Sequence, residues 1–580
     1  MNPTKSFKGY GKVDNVEDQA FHRKTRKRLI IVTFSSLLLI GLVVGAVAGI
    51  LIHKRNSDDG IPSSSVSPAQ SIKAVCNVTP YPDACFSSIS ALHLPNTTDP
   101  EEIFKLSLQV AIAELSKLPS LPDRLAAKST DPRIRAALAV CQTVLEDAVD
   151  FVNDSISSMA AGKSGEILSA GKIEDVRTWL STAVTDQETC LDALREMNSS
   201  LVDSVAAAMR NSSEYTSNSL AIVAKILGIL KDFDLPIHRR RRLLAESGSD
   251  SGYPEWVGAG VRRLLQEERL TPDVTVAKDG TGDYKTIKEA AKAVPKKSEK
   301  RFVIYVKAGK YVENVDLDKH RWNVMIYGDG SDKTILSGSL NFIDGTPTYA
   351  TATFAVMGKG FIARDIRFEN TAGAAKHQAV ALRSGSDCSV FYRCSFDGFQ
   401  DTLYPHSNRQ FFRDCDVTGT IDFIFGGAAA VFQNCNIRPR KPLPNQFNTI
   451  TAQGKKEPEQ KSAFSLQHCN LTPLGNFTEP TYLGRPWKNF STTVIIQSFI
   501  GPFLQPVGWI EWVKGVNPPD TIFYGEYQNT GAGSAVDKRV TWAGYYPSIT
   551  AEQAGKFSVE YLLEGGEWLP DAKVAFNVSI

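Results

Sequence analysis

From about Thr271 onward one short pattern keeps returning: Arg364-Asp-Ile366-Arg-Phe, Tyr392-Arg-Cys394-Ser-Phe, Arg413-Asp-Cys415-Asp-Val and Gln433-Asn-Cys435-Asn-Ile. Its central apolar residues, Ile366, Cys394, Cys415 and Cys435, are 28, 21 and 20 positions apart. Between them lie short runs of Val, Ile, Phe and Tyr broken by Asn, Asp and Gly, which is strand-and-turn texture. A repeat of roughly 20 residues in such sequence is one coil of a solenoid, because a single repeat cannot bury its own apolar face and must stack on the next. Parallel coils stack about 4.8 Å apart, so equivalent positions form columns. Cys415 and Cys435 then sit one coil apart in one column. Their expected Cα separation falls near the lower end of the roughly 4.4–6.8 Å that a disulfide spans, and a Cys415–Cys435 bridge is expected. Cys394, in the same column, is left as a buried thiol, and Cys388 and Cys469 are expected to be free as well.

The same period gathers polar residues. Gln378 and Gln400 are 22 apart, and Asp401 and Asp422 are 21 apart. That is about one coil, so two amides and two carboxylates fall on one face. Ile421, Phe423 and Phe425 make the surroundings partly dry. Two carboxylates so close cannot both ionise cheaply, and their pKa values split. A cation beside one of them decides which stays charged; Gly484-Arg485-Pro486-Trp487 offers a guanidinium and an aromatic ring on a stiff turn. A lone Asp or Gln on a solenoid is usually a turn cap or a ladder residue, so it is the joint spacing that points to chemistry. Paired aspartates also suit glycoside hydrolysis. The two glutamines favour an ester, because a tetrahedral acyl oxyanion needs hydrogen-bond donors and an oxocarbenium ion does not. His377 and His406 flank the constellation and are read as structural polar contacts.

The chain before the solenoid is of another kind. Over residues 71–235, Ile173, Val176, Leu180, Ala183, Val184, Gln187, Leu191 and Leu194 recur at helical spacing, as do Leu138, Cys141, Leu145 and Ala148. This predicts an all-α helical bundle. Its four cysteines allow three connectivities; Cys76–Cys85 and Cys141–Cys190 is the expected pairing. Residues 236–270 form a linker in which Arg239-Arg-Arg-Arg-Leu-Leu244 and Arg262-Arg-Leu-Leu265 flank a stretch rich in Ser, Gly and Asp. Exposed basic segments of this sort are open to processing proteases, and Arg241, Arg242, Arg262 and Arg263 mark the expected cuts.

Leu29–Ile52 has no charged residue and is long enough, at about 36 Å, to cross a bilayer as a helix. Five Lys/Arg precede it within His22–Arg28, and only Lys54 and Arg55 follow. That asymmetry predicts a signal-anchor with residues 1–28 in the cytosol, a stalk over 53–70, and everything later in the lumen. Lumenal placement permits disulfides and glycans at the sequons of Asn96, Asn153, Asn198, Asn211, Asn470, Asn476 and Asn489. The formal net charge of +2 over 580 residues argues against nucleic acid as a partner. No His/Cys cluster has metal-ligand spacing, so neither metal nor cofactor is expected.

Gly309-Lys-Tyr-Val-Glu313, Gln378-Ala-Val-Ala-Leu-Arg383, Gln400-Asp-Thr-Leu-Tyr404, Asp422-Phe-Ile-Phe-Gly426 and Leu483-Gly-Arg-Pro-Trp487 resemble, in order, five signature segments of plant pectin methylesterases. The resemblance covers 271–580, and the cysteine-bearing bundle resembles the plant invertase and pectin methylesterase inhibitor family. It implies an all-β right-handed parallel β-helix preceded by an inhibitor-like pro-region folded as an all-α four-helix bundle. It also implies hydrolysis of methyl-esterified homogalacturonan, with Asp422 as nucleophile, Asp401 as proton donor and base, and Gln378 and Gln400 stabilising the transition state. Thr348, Gln378, Arg485 and Trp487 would contact the sugar chain, with Tyr404 as an exposed ring for stacking. The resemblance further implies a secretory-pathway subtilisin-like protease and free inhibitor proteins as partners. The route would run from a Golgi-membrane pro-form to the cell wall. Two departures from the family's segments stand out: Thr348-Tyr-Ala-Thr-Ala-Thr353, and Gly427 where Asn is common.

Overall fold

Asp99 and Ser169 each stand just before a helix and accept a backbone hydrogen bond from its first turn, at Glu101 N and Lys172 N. Such caps satisfy donors that have no partner inside the helix. The computed structural model describes residues 67–92, 97–160, 169–227 and 271–580. The expected anchor, its expected cytosolic tail, the expected stalk up to residue 66, the arginines of the linker and Asn96 lie outside the described residues. Among the described residues no helix is long and apolar enough to cross a membrane. Two compact units divide the chain, Met1–Ala74 and Val75–Ile580. Of the first, the described part is the start of the helix Pro68–Cys76, which begins inside the expected stalk.

In the second unit, helices α1 (Pro100–Leu115), α2 (Pro132–Ala160), α3 (Ala170–Glu196) and α4 (Val202–Ile222) close a four-helix ring in which α1 packs on α2 and α4, and α3 packs on α2 and α4. The residues picked out by helical spacing are buried in it: Leu138, Leu145 and Ala148 on α2, Ile173, Val176, Leu180 and Leu194 on α3. Disulfides join Cys76 to Cys85 and Cys141 to Cys190, the second tying α2 to α3.

The carboxyl-terminal half is a β-helix. Three sheets of eleven, eight and seven strands run its length, and every paired strand is parallel. The coils wind right-handed, the hand that parallel crossovers adopt. One coil is Ser389–Tyr392, Ser395–Asp397 and Leu403–Pro405; the next is Arg409–Arg413, Asp416–Gly419 and Ile424–Gly426. Register follows the sequence repeat. Ser395 faces Arg367 and Asp416, and Asp416 faces Asn436, which stacks Ile366, Cys394, Cys415 and Cys435 in one buried column. Immediately before that column the backbone turns through a left-handed residue in each coil: Asp365, Arg393, Asp414 and Asn434, with φ between 52° and 56°. Phe391, Phe412 and Phe432 form a second column, with ring centroids 4.7 and 4.5 Å apart.

The expected Cys415–Cys435 bridge is absent: both are free thiols, as are Cys388, Cys394 and Cys469. In-register parallel strands hold neighbouring Cα–Cβ bonds side by side, so the Cβ atoms stay about 4.8 Å apart. A disulfide needs roughly 3.5–4.5 Å. Each thiol instead donates to backbone carbonyls, Cys415 to Phe391 at 3.3 Å and Cys435 to Gln433 at 3.4 Å.

The β-helix has its own core, running from Val276 to Tyr545 without a bundle residue. The capped helix Ile287–Ala293 packs at its first coils, and Leu562, Leu563 and Leu569 of the carboxyl-terminal helices lie on the eleven-stranded sheet. Asn153, Asn198, Asn211, Asn476 and Asn489 are exposed. Asn470 is half-buried in a strand, its amide donating to Asn436 at 3.4 Å, so a glycan there would break that ladder.

Candidate active site

Asp401 and Asp422 occupy equivalent corners of successive coils, each just before a strand of the seven-stranded sheet, since Leu403 pairs with Ile424. Both have left-handed backbone, φ 63° and 51°, a conformation that Asp tolerates better than most residues. The coils are stitched at this corner: Ala379 N donates to Gln400 O, and Asp401 N to Ile421 O at 3.0 Å. Gln378, Gln400, Asp401, Asp422, Arg485 and Trp487 line one cavity of about 450 Å³. The structure thus brings the predicted constellation together.

The two aspartates differ in their partners. Arg485 grips Asp422 with two bonds, Nε to Oδ1 at 2.9 Å and a terminal nitrogen to Oδ2 at 2.6 Å. Burial, then the neighbouring Asp422 charge, pushes the Asp401 carboxyl well above the usual range; Arg485 opposes this without cancelling it. One carboxyl group thus sits in a guanidinium fork, while burial and its neighbour's charge disfavour ionisation of the other. Among the described residues, the side-chain Oε1 of Gln378 is buried with no hydrogen-bond partner.

Thr449 was not foreseen. Its hydroxyl donates to Asp422 Oδ1 at 2.6 Å and accepts from Asp422 N at 2.8 Å. Its only sequence signal is a place one coil after Asp422. Trp512, also unforeseen, stacks on Trp487 at 6.4 Å and lies 4.3 Å beneath the Arg485 guanidinium. Tyr404 departs from expectation. It is 4% exposed and its ring stacks on Phe425 at 4.1 Å, so that face is not free for a sugar. His406 is a structural contact, as read: it is fully buried, between Thr189 Oγ1 at 2.9 Å and Ser407 Oγ at 3.1 Å. Burial and Arg383 push its pKa down to about 3. His377 is exposed.

The bundle closes this cavity. α3 lies across the cleft with a second, polar face toward the β-helix. Thr182 Oγ1 donates to Asn408 at 2.8 Å, Ser181 Oγ accepts from Lys461 N at 2.9 Å, and Arg409 pairs with Asp175 at 2.7 Å. At its last residue, both oxygens of Glu196 accept from Thr348, from the backbone N at 2.9 Å and from Oγ1 at 2.7 Å. Thr348, expected to meet sugar, meets a carboxylate of the chain's own helix. The signal was a stripe of short polar residues, Thr178, Thr182, Thr185 and Thr189, running beside the apolar one.

Family comparison divides the chain at the same place. Residues 273–566 match the Pectinesterase family, and residues 70–222 match Plant invertase/pectin methylesterase inhibitor. Pectinesterase 3 of Phaseolus vulgaris is 60% identical, and Pectinesterase 1 of Arabidopsis thaliana 57%, each over 100% of this chain and 100% of its own. A solved pectin methylesterase from carrot is 49% identical with a TM-score of 0.53. It spans 54% of this chain and 99% of its own, about the extent of the β-helix half, and so stands folded without a bundle. The chain belongs to the pectinesterase family of carboxylic ester hydrolases, with an inhibitor-family bundle ahead of its catalytic β-helix.

Proposed function

We propose that the β-helix hydrolyses methyl esters of homogalacturonan through an aspartyl acyl-enzyme. The observation that carries this reading is the unequal pair, Asp422 in the fork of Arg485 beside Asp401, whose carboxyl is pushed well above its usual range by burial, with two glutamine amides in the same cavity. The Asp422 carboxylate attacks the ester carbonyl carbon. Gln378 and Gln400 donate N–H bonds to the oxyanion. Collapse of the tetrahedral species breaks the bond to the methoxyl oxygen, and Asp401 gives that oxygen its proton, releasing methanol. Asp401, now a carboxylate, takes a proton from the incoming water, whose oxygen displaces Asp422. The products are the starting enzyme and a uronic acid, which gives its proton to solvent and leaves as the uronate. Methanol release from methyl-esterified pectin by the fragment 271–580 tests this. Falling polymer length without methanol would favour a glycosidase.

The bundle acts in this reading as a tethered inhibitor. α3 occupies the mouth of the cavity through Asp192 and Glu196. Tethering in one chain raises the bundle's effective concentration, to about a millimolar, enough to keep a weak inhibitor seated. A subtilisin-like protease cutting at Arg239–Leu244 or Arg262–Leu265 would release the esterase to the wall, while Leu29–Ile52 holds the uncut form in the Golgi membrane. Once free, the same cleft is open to separate inhibitor proteins of the bundle's family.

A further inference from the structure

Helix α3 turns three carboxylates toward the cleft, Glu188, Asp192 and Glu196, at i, i+4 and i+8, so they share one face and span about 12 Å. Two lysines of the β-helix meet the first pair. Lys488 Nζ donates to Glu188 Oε1 at 2.9 Å and to Asp192 Oδ1 at 2.7 Å, and Lys456 Nζ donates to Glu188 Oε2 at 2.6 Å. Arg195 of the same helix also reaches Glu188, at 2.7 Å, and Asp192, at 3.0 Å. Burial alone would raise the Glu188 carboxyl, yet the two ammonium groups hold it well below its ordinary range. A carboxylate is seated there, not merely near.

The position of this seat follows from register. Phe354, Leu382, Leu403, Ile424, Thr451 and Gly484 pair in succession along the seven-stranded sheet. Thr348 precedes the first of these strands and Lys488 follows the last. They lie on opposite sides of the two aspartates, each two coils away. Lys488 lines the same cavity as Asp401 and Asp422. Neither lysine contacts Asp422, Asp401 or the glutamines, so the chemistry proposed above leaves both unused.

We infer that Lys488 and Lys456 form a subsite for a free uronate carboxylate of the polymer, and that the acidic ridge of α3 fills it by standing in for that carboxylate. This rests on the esterase reading, in which every turnover converts a methyl ester into such a carboxylate. A site that binds product charge two coils along the cleft, roughly 10 Å away, favours esters near residues already hydrolysed.

The test uses the fragment 271–580, whose core is its own and whose carrot counterpart stands alone. Lys488→Gln, Lys456→Gln and the double variant are assayed on fully methyl-esterified and on half-de-esterified homogalacturonan. The ratio of kcat/KM on the half-esterified to the fully esterified polymer should fall about tenfold in the double variant, the effect of losing one charge-assisted contact. Affinity for unesterified oligogalacturonate, measured by calorimetry with Asp422→Asn as background, should fall by a similar factor. The single variants carry the same comparison if the double variant does not fold. An unchanged ratio and an unchanged oligogalacturonate affinity overturn the subsite and leave the lysines as docking contacts for the bundle. Lysine-dependent binding without methanol release from the unmodified fragment would instead sink the esterase reading and keep the subsite.

Discussion

Thr449 and Arg485 share the oxygens of Asp422, which leaves the carboxylate fixed in place, while one coil away burial and the Asp422 charge push the Asp401 carboxyl well above its usual range. If that difference is the chemistry, Asp422→Asn should fold normally and lose essentially all turnover. Retention of more than about a tenth of the rate, a loss of only ~1.4 kcal/mol of transition-state stabilisation, would show that Asp422 is not the nucleophile. Asp401→Asn should lower kcat strongly, because the amide can neither protonate methanol nor activate water. Thr449→Val should cost about tenfold in kcat, the size of one hydrogen bond to a charged group, with KM little changed. A variant as fast as the parent would make Thr449 a packing residue.

At the scale of elements, α3 is the part whose two faces serve two domains. Burial raises Glu196 to about 7 in the docked state, with the Thr348 bonds opposing and Asp192 adding to the rise, against 4.5 for a free glutamate. The docked state therefore binds more protons between those values. This residue's contribution to docking is complete below about 4.5 and is lost as pH climbs to about 7. Asp192 shifts the same way, whereas Glu188 is depressed and loses its contribution as pH falls below the ordinary glutamate range. The full chain should thus be most strongly self-inhibited at mildly acidic pH, and its activity relative to fragment 271–580 should rise at least about tenfold between pH 5 and pH 7.5. Glu196→Gln should flatten that rise; an unaltered slope would assign the effect elsewhere. Gly427 supplies a steric test. A Cβ there would meet Thr185 at 3.1 Å and the His406 carbonyl at 3.2 Å, so Gly427→Asn should loosen α3 and raise full-chain activity. No change in activity would mean that the helix yields at Thr185.

For the whole molecule, the proposal separates anchoring, inhibition and catalysis along the chain, with the linker as the point of release. Replacing Arg239–Arg242, Arg262 and Arg263 with alanine should leave an uncut form inside the secretory pathway and little esterase in the wall. Immunoblotting of cell and wall fractions reads this directly. Normal trimming and full wall activity in that variant would remove the linker from the account.

The solenoid, its register and the gathering of Gln378, Gln400, Asp401, Asp422 and Arg485 were legible in the sequence. Coil spacing fixes which residues share a corner before any side chain is placed. The helical bundle and its two disulfides were legible for a similar reason, since apolar spacing puts Cys141 and Cys190 on facing helices. The limits lie where geometry finer than one coil decides. Columns told that Cys415 and Cys435 stack, but only parallel Cβ directions keep them apart. Tyr404 looked like an open ring until Phe425 and the bundle closed on it. The polar stripe of α3 carried no sign of its partner, because Thr, Asp and Glu on a helix face look the same in water as against a protein surface. Local spacing determined the elements and the catalytic cluster; which surface covers that cluster was decided by docking across more than 150 residues of chain, as between Glu196 and Thr348.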